Sequence, residues 1–308
     1  MDCSVVIASY NRAGLLVDTL RSLEAQHVPP TIRWEVIVID NNSRDTTRNV
    51  VEQFRKTATV NVRYEFEPRQ GQSFARNLGI DVATGGVILF TDDDIIPESN
   101  WVRSMFTTIT AAGCDGAGGR VLPRWEAEVP DWLAGRRDLQ AWLALVDAEQ
   151  PGMLEYPLVD ANRIVGASMG FRRELFEEFG RFPTTLGHRG ARMYGGEEVV
   201  FINQVLFKGR RIRYEPAIVA YHRIQADRLR RVFFLRRHFD HGCGQARLLA
   251  PDRRPRLRDV LRTLRTAASS TVRRDPEALS LQLILAMELG LLWGSRRWPR
   301  RQGPESAE

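Results

Sequence analysis

The 308-residue sequence predicts an α/β fold: a mostly parallel central sheet flanked by helices, followed by a helical, basic C-terminal extension. Three observations point there. Short apolar runs alternate with stretches of helical period along the first third of the chain. The runs are apolar on both faces, as in strands covered by helices on each side. Polar clusters follow several of the runs at their carboxyl ends, where open sheets of this class gather ligands. With 43% hydrophobic residues, the chain can bury a substantial core.

The elements follow in order. Residues 4–10 form a compact apolar run, and Asn11 then caps a helical pattern of Leu15, Leu16, Leu20 and Leu23. Residues 34–40 repeat the strand, the turn Asn41-Asn42-Ser43 follows, and an amphipathic segment passes through Val50, Val51 and Phe54. A third strand over residues 60–66 ends at Pro68. Residues 73–84 read as a helix closed by Gly85-Gly86. The strand Val87-Ile88-Leu89-Phe90 then delivers Asp92-Asp93-Asp94, and the next helix begins near Pro97. Residues 121–160 are irregular, with Trp125, Trp132 and Trp142 set among charges; such indoles either pack or stack on sugar rings. Further on, Gly195-Gly196-Glu197-Glu198 opens an apolar helical face. A strand-like segment after Pro216 leads to His222, and residues 236–242 read as a basic helix and its stop.

Charge and cysteine usage exclude several classes. The formal net charge is +6, but only Lys56 and Lys208 are lysines, and the arginines concentrate between Arg228 and Arg301. That distribution fits anionic lipid, a phosphorylated ligand or a solvated surface. No zinc-finger spacing, RNA-binding aromatic motif or basic heptad region accompanies it, so no nucleic-acid partner is expected. Cys3, Cys114 and Cys243 are far apart and odd in number, which argues against a disulfide framework or a zinc cluster. No secretory signal is visible at Met1-Asp2-Cys3. The expected location is cytoplasmic, with peripheral contact at the inner face of the membrane through the C-terminal region.

The acidic triplet is where chemistry is expected. Three adjacent carboxylates repel one another unless a cation or hydrogen-bond donor meets them. Strand alternation would put Asp92 and Asp94 on one side and Asp93 elsewhere; a solvated helix-capping turn is the competing account. Asp40 and Asn42 also organise turns by habit. A carboxylate at that strand end can equally accept the imide proton of uracil, with two phosphates extending toward the triplet and a divalent cation neutralising them.

The ordered set of motifs resembles the inverting family-2 glycosyltransferases, which use the GT-A nucleotide-sugar fold. It comprises Val5-Val6-Ile7-Ala8-Ser9-Tyr10-Asn11-Arg12, Val36-Ile37-Val38-Ile39-Asp40-Asn41-Asn42-Ser43, Gly71-Gln72-Ser73-Phe74-Ala75-Arg76-Asn77-Leu78-Gly79, the acidic strand, Gly166-Ala167-Ser168-Met169-Gly170 and Gly195-Gly196-Glu197-Glu198. The resemblance implies a GT-A-like domain over residues 1–225, with a donor half of about 1–120 and an acceptor half of about 121–225. Residues 226–308 form the Arg-rich extension. It also implies that Ser9, Tyr10 and Arg12 make the first nucleotide-contacting turn, that Asp40, with Asn42 beside it, takes the base, and that Asp92, Asp93 and Arg76 lie at the donor sugar. Asp94 and His222 are implied as metal-binding, for Mg2+ or Mn2+. Glu198 stands where the family usually has a catalytic aspartate, one methylene longer. Ser168 replaces a polar amide common among relatives, so acceptor recognition does not transfer.

The expected reaction is inverting transfer of a sugar from a nucleoside-diphosphate donor, of UDP or dTDP type, to a saccharide, lipid-linked or small-molecule acceptor. Two alternatives stand beside it. A sugar nucleotidylyltransferase would need a glycine-rich triphosphate loop and lysine that residues 9–12 lack. A non-catalytic nucleotide-sugar-binding or membrane-associated assembly protein would keep the site and lose the reaction. Near the C-terminus, residues 279–293 would span only about 22 Å as a helix, short of a hydrocarbon core of about 30 Å, which suggests packing or an interfacial position between Arg273-Arg274 and Arg296-Arg297.

Overall fold

A computed structural model describes residues 1–111, 113–158, 164–248, 257–272 and 278–297. The chain folds as two compact units, one of Met1–Thr184 with Glu197–Leu229, the other of Thr185–Gly196 with Arg230–Glu308.

The first unit starts with β1 (Cys3–Ser9), α1 (Ala13–Glu24), β2 (Trp34–Asp40), α2 (Thr47–Phe54), β3 (Asn61–Phe66), α3 (Gln72–Val82) and β4 (Val87–Asp92). Val5, Val6 and Ile7 of β1 and Val36 to Ile39 of β2 are fully buried, as continuous apolar runs in a covered parallel sheet should be. Parallel register pairs Ser9 with Asp40 and Ala8 with Asp92. The polar ends of β1, β2 and β4 therefore share one edge.

Next come β5 (Ile95–Pro97), α4 (Trp101–Thr110), β6 (Gly116–Trp125), α5 (Arg137–Gln140), β7 (Gly152–Met153), β8 (Ser168–Arg172) and α6 (Arg173–Phe179). The chain then enters the second unit for β9 (His188–Arg189) and β10 (Arg192–Met193), and returns with α7 (Glu197–Phe207) and β11 (Ile212–Ile224). The sheet order is β3-β2-β1-β4-β8-β6-β11-β5, with β7 on β11. Strands β3, β2, β1 and β4 are parallel; β8 inserts antiparallel between β4 and β6, and β5 lies antiparallel on β11. The register of β11 on β6 breaks between Tyr214 and Val219, around Pro216, which has no N–H to give the ladder.

Phe90, Phe171, Phe176, Phe182 and Phe201 form the aromatic heart of the core, with Phe176 and Phe201 stacked at 4.7 Å and the other pairs tilted or edge-on. Phe201 lies one turn below Glu197 on α7, so this cluster anchors the helix that presents both glutamates.

Three local expectations are corrected. Asn11 does not cap α1; it takes a left-handed φ of 52° and Arg12 holds the N-cap position without a side-chain cap bond. The helix expected near Pro97 starts at Trp101, because residues 95–97 pair with β11 instead. Gly242 does not stop the basic helix, which is α8 (Arg231–Gln245).

The second unit holds the β9–β10 hairpin with α8, α9 (Leu257–Val272) and α10 (Ala278–Arg297). Gly242 sits where α8 meets α10, and a Cβ there would strike the Met287 carbonyl; Gly290 answers it against the Phe239 carbonyl. The fully buried Asp240 accepts from Arg192 Nη1 at 2.9 Å and from the Met193 N–H at 3.1 Å, tying α8 to the hairpin. At 20 residues, α10 exceeds the apolar stretch 279–293 and is long and apolar enough to cross a membrane by length and composition. Arg273 and Arg274 lie outside the described residues.

Candidate active site

The turns after β1 and β2 are laced together. The Asn41 N–H donates to the Ser9 carbonyl at 2.8 Å, the Asn11 N–H to Ser43 Oγ at 3.0 Å, and the Arg44 N–H to Asn11 Oδ1 at 2.7 Å. Asn11 and the exposed Asn42, with φ of 52° and 64°, adopt the left-handed conformation that asparagine tolerates better than most side chains. Asp40 is buried; Oδ1 accepts the Ser43 N–H at 2.9 Å and Oδ2 accepts the Tyr64 hydroxyl at 2.8 Å. It organises the turn, and each oxygen keeps a second lone pair for an incoming N–H.

The acidic triplet is not arranged as strand alternation suggested. β4 ends at Asp92, and Asp93 and Asp94 form a turn. Beyond the strand the two-residue pleat no longer applies, so Asp93 and Asp94 converge on Arg12 while Asp92 stands apart, facing α3. Asp92 Oδ1 accepts from Arg76 Nη2 at 2.9 Å and from Gln72 Nε2 at 3.0 Å. Asp93 turns inward: Oδ2 accepts from Ser9 Oγ at 2.8 Å and the Tyr10 N–H at 3.4 Å, and Oδ1 from Arg12 Nη1 at 3.2 Å. Ser9 and Asp93, both buried, thus brace the first turn. Burial pushes Asp93 up to about 6, with Arg12 pulling against it.

Asp94 meets the far side of the sheet. Ile95 pairs with His222 across β5 and β11, which brings Asp94 Oδ2 to 3.4 Å from His222 Nε2. The same oxygen accepts from Arg12 Nη1 at 2.8 Å and Arg228 Nη2 at 2.7 Å. Burial acts to raise the Asp94 pKa, but the guanidinium groups of Arg228 and Arg12 outweigh it and hold the carboxyl well below the usual range. His222 Nδ1 faces the Leu143 carbonyl at 2.8 Å. A carbonyl only accepts, so Nδ1 carries the proton and Nε2 of the neutral ring keeps its lone pair, the tautomer a metal-binding histidine needs.

Among the described residues no group of three or more His, Cys, Asp or Glu side chains converges on one point. A magnesium-type cation commonly takes only one or two protein ligands and completes its shell with substrate phosphates and water. The pair Asp94 and His222 fits such an ion, with oxygen and nitrogen donors spaced like neighbouring ligands on one centre.

Arg76 joins this edge of the sheet to α7. It is buried, with Nη2 on Asp92 at 2.9 Å and Nη1 on Glu197 Oε1 at 2.7 Å. A Cβ at Gly166 would run into its guanidinium, so that glycine leaves the space the arginine fills. Glu197 is buried, and Glu198 is half-buried beside it in the first turn of α7. Arg76 Nε, Glu197 Oε2 and Glu198 Oε2 are buried without a hydrogen-bond partner in the protein. Orphaned polar atoms clustered like this mark a place built to meet a ligand.

Burial, and then the charge of Glu198, push the Glu197 carboxyl up to about 8 against the pull of Arg76. A folded-state value raised above the ordinary 4.5 stabilises the fold below that ordinary value, and the contribution is lost as pH rises through about 8. Glu197→Gln keeps an acceptor for Arg76 and removes the titration. The expected result is a melting temperature that falls less between pH 5 and 8 than the wild type's, measured by calorimetry in matched buffers. Parallel curves would refute the assignment.

Trp125, Trp132 and Trp142 are all partly buried, and Ser168 Oγ accepts from Trp101 Nε1 at 2.9 Å inside the core. Sequence reasoning missed Gln72, Tyr64, Arg228 and the structural part of Glu197. Gln72 stood within a quoted motif beside Arg76; Arg228 lies six residues past His222, and no periodicity connects it to Asp94.

Comparison with known proteins bears on the family and the fold. Residues 4–180 match the profile of glycosyl transferase family 2. The chain is 28% identical over 247 residues to the succinoglycan biosynthesis protein ExoM of Rhizobium meliloti, covering 79% of this chain and 74% of the relative. It is 26% identical over 297 residues to a glucosyl-dolichyl phosphate glucuronosyltransferase of Haloferax volcanii, covering 93% and 92%. Among solved structures, the mannosyltransferase PcManGT from Pyrobaculum calidifontis, in complex with GDP-Man and Mn2+, shares the fold with a TM-score of 0.63 at 17% identity, over 94% of this chain and 87% of that one.

Proposed function

This chain belongs to glycosyl transferase family 2, and from that membership and the site's geometry we propose that it transfers a sugar from a nucleoside diphosphate to an acceptor hydroxyl with inversion. The observation that carries the proposal is the Arg76 bridge, which ties the donor-edge carboxylate Asp92 to the glutamate pair at 2.9 and 2.7 Å. A donor held at Asp92 then lies within one side chain of a base.

The Glu198 carboxylate takes the acceptor hydroxyl's proton as the oxygen bonds to the anomeric carbon. The bond from that carbon to the phosphate oxygen breaks on the opposite face, and its electron pair leaves with the nucleoside diphosphate. Glu197, carrying a proton near neutral pH, spares Glu198 a second buried like charge. Arg12 places positive charge beside Asp93 and Asp94 at the diphosphate end. Asp94 and His222 would hold Mg2+ or Mn2+, which would supply Lewis-acid stabilisation of the departing diphosphate. Asp40 orients a uracil or thymine base through its remaining lone pairs, and the turns of residues 9–12 and 40–44 line the nucleotide.

The deciding experiment is a panel of UDP-, dTDP- and GDP-sugars with Mg2+ or Mn2+, following nucleoside diphosphate release and the anomeric configuration of the product by NMR. Release from uridine or deoxythymidine donors with inversion is expected. Retained configuration rules out single displacement, a guanosine preference overturns the Asp40 assignment, and pyrophosphate release from a nucleoside triphosphate would instead indicate nucleotidylyl transfer.

A lipid-linked acceptor fits the second unit, and a relative named for glucosyl-dolichyl phosphate supports that class. On α9, Leu261 and Leu264 are exposed among exposed Arg258, Arg262 and Arg265, and α10 exposes Ile284, Leu289 and Trp293. Apolar residues flanked by arginines suit an anionic bilayer surface at the cytoplasmic face. The full chain should co-sediment with phosphatidylglycerol vesicles at low salt and release at high salt. Indifference to such vesicles at low salt removes this part of the proposal.

A further inference from the structure

Arg228 is a cation that the transfer chemistry above leaves without a task. It sits on a 3-10 turn, Ala226–Leu229, just beyond β11. Its Nη1 lies 2.7 Å from His222 Nε2 and its Nη2 2.7 Å from Asp94 Oδ2, so one planar guanidinium spans the two atoms assigned to the divalent cation. At the histidine the two uses exclude each other. With the proton fixed on Nδ1 by the Leu143 carbonyl, Nε2 has a single lone pair, and Arg228 already takes it.

We propose that Arg228 is a resident cation of the metal site: it holds Asp94 and His222 in place in the donor-free enzyme and yields both atoms when a divalent cation arrives with the nucleoside diphosphate. The inference rests on the reading that Asp94 and His222 are the metal ligands. Its physical basis is the burial of Asp94, which is 2% exposed and would be destabilising without a neighbouring positive charge. Arg12 supplies part of that charge, and Arg228 supplies the part directed at the ligand pair. A metal ion entering alone must displace the guanidinium with nothing else to pair it. A metal ion entering with a diphosphate brings the anionic oxygens to which the released guanidinium turns. Cation binding is therefore weak without nucleotide and strengthened by it.

The test is titration of free Mn2+ by electron paramagnetic resonance against the full chain, alone and with UDP or GDP in parallel. It compares wild type with R228M, R228K, D94N and the double variant R228M/D94N. Without nucleotide, R228M should bind Mn2+ about tenfold more tightly than wild type, as the competing occupant of the two atoms is removed, and R228M/D94N should lose that gain. Nucleotide should strengthen wild-type Mn2+ binding by a larger factor than it does for R228M. R228K keeps a charge near Asp94 and has one head group in place of the fork that reaches both atoms, so it too should bind more tightly than wild type. It decides the matter if R228M does not fold. Variants at Arg228 that bind Mn2+ no more tightly than wild type overturn the proposal; if nucleotide still recruits Mn2+ to wild type and fails to do so with D94N, the metal assignment survives alone. Absence of nucleotide-dependent Mn2+ binding in the wild type overturns both.

Discussion

Glu198→Gln is expected to lower sugar transfer by about 10²–10⁴-fold, the range associated with loss of a positioned general base. The amide keeps the size and hydrogen-bonding reach of the glutamate but cannot accept the acceptor's proton, so donor affinity should stay within about threefold of wild type, well short of a 1.4 kcal/mol, tenfold change. Two readouts separate chemistry from binding: single-turnover transfer with saturating donor, and nucleotide-sugar affinity by calorimetry. Glu198→Asp restores the residue usual in the family and shortens the side chain by one methylene. If Glu198 reaches the acceptor directly, the aspartate variant should fall between wild type and the glutamine variant. Full transfer by Glu198→Gln would sink the base assignment, leaving Glu197 as the carboxylate to examine.

Arg76→Met should be the most destabilising single change in the site, by about 3–5 kcal/mol, as for removal of one partner from a buried ion pair. The arginine is buried between Glu197 and Asp92, whose side chains are 3% and 24% exposed. Methionine fills much of the space and leaves the carboxylates unpaired. Protonation offers them a partial escape, most readily at Glu197, so the destabilisation should be smaller near pH 6 and grow toward pH 8. Urea unfolding at the two pH values measures this directly. Arg76→Lys should recover only part of the loss, since one ammonium replaces a fork whose two arms reach different carboxylates. A methionine variant within about 0.5 kcal/mol of wild type, the range of an ordinary surface substitution, would show that the bridge contributes little.

The parallel half of the fold was legible because each of its strands is a local apolar run closed by a local turn. Residues 34–40 were expected as a strand and form β2 at those limits. Elements defined by distant partners were not legible. Ile95, Ile96 and Pro97 are a strand only because β11, more than a hundred residues later, pairs with them. Gly242 reads as a helix stop until α10 packs on it. The same division runs through the site. Asp40, Asp92, Asp94 and Glu198 stand in recognisable motifs, whereas the charge that joins Asp92 to Glu197 and the one that spans Asp94 and His222 depend on how separate segments fold together.

The bond from His222 to Leu143 has an evolutionary reading. What fixes the histidine's proton is a main-chain carbonyl, present whatever side chain the position carries. The irregular segment around it can therefore exchange residues, provided the turn Ala141–Leu143 keeps its backbone path. Descendants with other side chains in this segment would inherit the same imidazole tautomer without having to select for it again.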